Sequence, residues 1–98
     1  MAGDLSLIVN DIPIKTDHFV AGFVEHTVCG MIEALKDAGK INNLTLIVDG
    51  DRVMIDLNGA PLQTNVFAGK IIKSTIVGML VNLKGVTDIK KVSIIIDK

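Results

Sequence analysis

His26, Cys29 and Glu33 follow one another at helical spacing, and they are the residues of this chain whose types could do chemistry together. Steps of three and four residues bring side chains toward one side of a helix. Such a stripe offers an imidazole, a thiol and a carboxylate. As a metal site it falls short of the four ligands that zinc usually takes, although His18, eight residues before His26, lies on the same segment. As a catalytic pair, His26 would serve as base to a Cys29 nucleophile. The positions that match them 48 residues later are Ser74 and Val77, so a site of this kind would exist in one half only. Ser74 is retained as a candidate ligand residue because it matches His26. The expected role of the stripe is a solvated or partly packed helix surface, with ligand or metal binding as the alternative.

Other chemistry has less behind it. There is no Gly-rich phosphate loop, His-Glu-x-x-His, nucleophile elbow or Cys-x-x-Cys. No cofactor is implied, and enzymatic activity is not the expected reading. Lys70, Lys73, Lys84, Lys90 and Lys91 make a modest basic strip without aromatic stacking residues, which argues against nucleic acid as the partner. A lone cysteine excludes an intrachain disulfide framework. With no signal-peptide pattern and no apolar run long enough to span a bilayer, a cytoplasmic protein without membrane contact is expected.

The elements that must position these residues come twice. Shifting the sequence by 48 positions lays 5–49 on 53–97 without a gap, with 12 of 45 pairs identical, where average usage gives roughly three by chance. Matched pairs include Asn10/Asn58, Pro13/Pro61, Phe19/Phe67, Gly30/Gly78, Met31/Met79, Leu35/Leu83 and Ile47/Ile95. Regular internal similarity marks a repeat. Each unit reads as strand, tight turn, short strand, helix, strand. Asn10-Asp11 and Asn58-Gly59 suit a turn with positive φ at both central residues. Pro13 and Pro61 cannot donate to a ladder, so the short strands are expected at a sheet edge or with the proline nitrogen facing away from a partner strand. Thr16-Asp17 and Thr64-Asn65 supply N-caps for helices over 17–37 and 65–84, with Gly39 and Gly85 as stops. The expected fold is an α+β two-layer sandwich: two ββαβ units forming one 98-residue domain, a mostly antiparallel six-stranded sheet with both helices on one face.

Each helix carries eight residues on one wide apolar face, from Phe19 to Leu35 and from Phe67 to Leu83, and the three phenylalanines are expected in the core. Gly30 and Gly78 lie at the margin of that face. Mid-helix glycine costs about 1 kcal/mol against alanine, and either a close crossing of the two helices at this point or a close approach of each helix to the sheet would account for the pair.

Association is the expected function. On the sheet face away from the helices, Ile8, Ile47, Met54 and Ile95 stand where water-facing residues belong, and Val77 and Val81 form a second apolar pair on the second helix. Residues 1–49 carry three basic against seven acidic groups, and residues 50–98 seven basic against four acidic. Charge that differs in sign between halves can pair between subunits. A homodimer is expected, with a different protein partner as the alternative.

Overall fold

The structure is a computed structural model that describes residues 4–35, 40–83, 86 and 88–97. Its order is β1 (Asp4–Val9), β2 (Ile12–Pro13), α1 (His18–Leu35), β3 (Asn43–Asp49), β4 (Arg52–Leu57), β5 (Ala60–Leu62), α2 (Val66–Leu80) and β6 (Lys91–Asp97). The fold is α+β. Its six strands form one sheet in the order β2-β1-β6-β3-β4-β5, and every pairing is antiparallel. The two proline-bearing strands lie at the edges, where a missing ladder donor costs least. The positions expected to end the helices, Gly39 and Gly85, are outside the described residues, as are Lys36, Asp37 and Lys84. Among the described residues no helix is long and apolar enough to cross a membrane.

Register decides which side chains meet the core. Leu46 pairs with Ile94 at the centre of the sheet, flanked by Leu44–Ile96 and Val48–Val92. Leu7 stands opposite Ile94 on one side and Ile55 opposite Leu46 on the other. These same-parity residues are buried, and they share one core with Val24, Val28 and Ile32 of α1 and Ile72, Ile76 and Leu80 of α2. Period-two alternation thus sends one sheet face to the helices.

Both hairpin turns are built alike. Asn10 and Asp11 have φ of 51° and 66°, and Asn58 and Gly59 have 51° and 85°. Asn58 Oδ1 accepts from the backbone N–H groups of Asn42 and Asn43 at 2.7 and 2.9 Å, while its Nδ2 donates to the Lys40 carbonyl at 3.0 Å. Asn10 repeats the arrangement: Oδ1 accepts from Lys90 and Lys91, and Nδ2 donates to the Asp88 carbonyl. Each asparagine therefore fastens its turn to the segment leading into β3 or β6. The helix starts are also as the side chains require: Asp17 Oδ1 accepts from Val20 N–H at 2.8 Å and Asn65 Oδ1 from Ala68 N–H at 2.7 Å.

Lys73 of α2 reaches Asp51, in the turn before β4, at 2.8 Å. The hydrogen bond and charge of Lys73, with a further contribution from Lys70, hold the Asp51 carboxyl below its ordinary value of 3.8. A carboxyl lowered in the folded state adds stability that is complete above its unfolded pKa and is lost as pH falls through the folded one. The melting temperature should therefore drop faster for the unaltered protein than for Lys73→Met between about pH 5 and about pH 3. Parallel melting curves for the two proteins would remove any role for the pair. Asp51 is fully exposed, so the expected difference is small.

Candidate functional site: an apolar face on the helix pair

The helices lie on the sheet with only part of their apolar surface covered. At 100° per residue the eight apolar positions of each helix spread over about 220°, much wider than the stripe one sheet can take. Val24, Val28 and Ile32 point into the core, and Phe19 and Phe23 are left outside, 74% and 52% exposed. In α2, Ile72, Ile76 and Leu80 are buried, while Phe67 is 72% exposed and Ile71 is exposed beside it. The expectation that the three phenylalanines fill the core is thus corrected. They lie in the N-terminal half of each helix, on the arc opposite the sheet. The excess of apolar arc over what a sheet can bury was the signal for this in the sequence.

The rings of Phe19 and Phe23 pack on each other, with centroids 6.0 Å apart and planes tilted by 44°. With Val24 they form one wall of an open cleft of about 430 Å³, whose other wall is Met79 of α2 with Asn82 and Leu83 of the turn that follows it. A second cleft of about 290 Å³ lies between Phe67, Ile71 and Ile72 of α2 and Met31, Ala34 and Leu35 of α1. Each of these residues in one cleft has its counterpart in the other at a shift of 48. The N-terminal half of each helix thus borders the C-terminal half of its neighbour, which makes the two helices antiparallel, with Thr27 and Thr75 midway.

The ridge facing outward on α1 is Phe19, Phe23, His26, Gly30 and Ala34, all exposed; on α2 it is Phe67, Ile71, Ser74 and Gly78, continued by Asn82 just past the helix end, all exposed. Gly30 and Gly78 are therefore not where the helices meet. A Cβ built on either would find no atom within 4 Å, so the expected close crossing within the chain is absent.

The His26–Cys29–Glu33 stripe does not assemble. His26 and Glu33 are exposed, whereas Cys29 turns into the core at 7% exposure, because it sits about 60° round the helix toward the sheet. Among the described residues no group of three or more His, Cys, Asp or Glu side chains is placed to hold a metal ion. His18 is exposed at the first turn, and Ser74 is exposed on the ridge of α2. Glu25, whose counterpart in α2 is Lys73, is a buried acid that the periodicity of α1 did not single out.

On the far face of the sheet, Met54 and Ile95 are exposed and Ile8 and Ile47 half-buried. Register lines Ile8, Ser93, Ile47 and Met54 into one row across four strands, with Ile95 in the next row beside Thr45. Val77 is half-buried on the flank of α2 and Val81 exposed at its C-cap.

No family model matches this chain, and neither a curated protein nor a solved structure is similar to it.

Proposed function

We propose that the chain is a non-enzymatic, self-associating module: an internally duplicated, two-layer domain that forms a homodimer through the outer face of its helix pair. The observation that carries this is the exposure of Phe19, Phe23 and Phe67 together on one face. Taking about 200 Å² for a fully exposed phenylalanine, the three offer roughly 400 Å² of apolar surface, as much as the largest patch of many monomers. Ile71 and Leu35, both exposed, extend the patch toward the about 800 Å² per partner that a stable interface buries.

Duplication accounts for the matched registers, the two asparagine-braced turns and the matched clefts. A shortest extent of 18 Å fits one sheet under one layer of helices. Two copies of a ββαβ unit yield a face that repeats itself under a half-turn, and such a face is predisposed to meet its own copy. The sheet face with Ile8, Ile47, Met54 and Ile95 is a weaker association surface, because two of those four are half-buried and polar Ser93 and Thr45 interrupt them. A cytoplasmic location agrees with the buried Cys29 thiol.

Light scattering tests the reading. The expected mass is twice that of the 10.5 kDa chain, independent of salt to the extent that apolar burial drives association. A mass of one chain at high protein concentration would overturn it. The second reading would then gain, in which the two open clefts take an apolar small molecule, seen as a rise in melting temperature on ligand addition.

A further inference from the structure

Resting on the self-association reading, we infer that α1 of one copy lies antiparallel along α2 of the other, each phenylalanine-bearing half-helix seated on a glycine-bearing one. Two observations select this arrangement among the ways two copies can stack.

The first is the distribution of size along the ridges. Bulk is concentrated in the N-terminal half of each helix, at Phe19 and Phe23 and at Phe67 and Ile71. The C-terminal halves carry Gly30 and Ala34, and Gly78 and Asn82. Because the helices of one chain run antiparallel, stacking two copies about a twofold axis in the plane of the face brings bulky halves onto small ones. With that axis along the helices, Phe23 stands over Gly78 of the second copy, and Ile71 of the second copy over Gly30. Phe19 reaches Asn82 of the second copy, and Phe67 of the second copy reaches Ala34. A glycine in mid-helix needs a reason, and among the described residues no side chain or other element comes within 4 Å of a Cβ at either position to supply one. Facing helices pack at about 8–10 Å, with the shorter separations where side chains at the contact are small.

The second observation is charge. The twofold axis can run along the helices, putting α1 on α2 of the second copy, or across them, putting α1 on α1 and α2 on α2. The charged residues of α1 are Glu25 and Glu33, and those of α2 are Lys70 and Lys73. Lys73 is engaged with Asp51, but among the described residues neither Glu33 nor Lys70 has an ion-pair partner. With the axis along the helices, Glu33 comes to the level of Lys70 of the second copy, on the same flank, and the pair occurs twice. With the axis across them, each helix meets one of its own charge. Opposed charge favours the first, and the mixed charge of the two halves of the chain acquires a use.

The test compares dimer dissociation constants by light scattering and sedimentation, with far-UV circular dichroism to follow the fold. Gly30→Leu/Gly78→Leu puts a better helix former where the chain leaves room, so the single chain keeps its helices. The seats for the aromatic rings are filled, and dissociation should be at least about 100-fold easier. Glu33→Lys alone and Lys70→Glu alone should each weaken the dimer about tenfold at low salt, while the double exchange restores it to within about threefold. These surface changes touch no core residue, so they decide the matter even if the leucine variant fails to fold. A wild-type dimer indifferent to the leucines would overturn this seating and leave self-association standing on another face. A double exchange no tighter than the singles would overturn the α1-on-α2 pairing. A wild-type protein that is monomeric throughout would overturn both.

Discussion

The Phe23→Asp/Phe67→Asp variant should run as a folded single chain of 10.5 kDa at concentrations where the unaltered protein is a dimer. Each of these rings is more than half exposed in the single chain, so little of the intrachain core is lost by removing it. Exposed substitutions of this kind usually change fold stability by no more than about 0.5 kcal/mol. Within the proposed interface the balance is different. Burying a phenylalanine is favourable by about 1.5–3 kcal/mol, and the twofold arrangement counts every substitution twice. Scaled to the part of each ring that is exposed in the single chain, four rings lost per dimer amount to about 4–7 kcal/mol, before the cost of desolvating the new carboxylates, or at least about 500-fold in dissociation constant. Light scattering and sedimentation on the variant, beside Ile47→Lys/Ile95→Lys, read out the result. A dimer that survives the aspartates but is split by the lysines places the interface on the open sheet face instead.

The second large effect is expected in stability. Asn58→Ala should cost about 3 kcal/mol, and Asn10→Ala about as much, because each asparagine makes three hydrogen bonds and also holds φ at 51°. Each net hydrogen bond contributes about 0.5–1.5 kcal/mol, at the lower end here because the groups are exposed, and alanine adds about 1 kcal/mol of left-handed strain. Asn58→Gly separates these contributions: it relieves the strain, keeps none of the side-chain bonds, and should recover about 1 kcal/mol of the loss. Chemical denaturation gives the numbers directly. If Asn58→Ala costs no more than about 1 kcal/mol, the whole loss is left-handed strain and the brace to residues 40, 42 and 43 contributes nothing.

Much of this fold could be read before any coordinates. Pro13 and Pro61 placed their strands at the edges, and Asn10-Asp11 and Asn58-Gly59 marked turns whose φ values are as those residues allow. Asp17 and Asn65 cap their helices as residue type required. Alternation along β3, β4 and β6 named the buried sheet face correctly. These are local properties, set by hydrogen-bonding groups and by steric limits within a few residues.

The candidate site was less legible. Periodicity showed that Phe19, Phe23, Phe67 and Ile71 belong to apolar faces, and the same periodicity assigned them to the core. A repeated glycine at 30 and 78 pointed to close packing, but not to which surface would pack. The ligand stripe failed for a similar reason: three side chains within one helical sector parted at the core boundary, with Cys29 inside and His26 and Glu33 outside.

The sequence alone therefore determined the elements, their turns and caps, and the parity of each strand, because these follow from backbone sterics and the two periods of secondary structure. Tertiary structure decided how far round each helix the sheet reaches, and hence which apolar residues remain to meet a partner. That depends on where each helix comes to rest against the sheet, a distance no local pattern encodes, and an arc of about 220° of apolar helix is more than one sheet can cover.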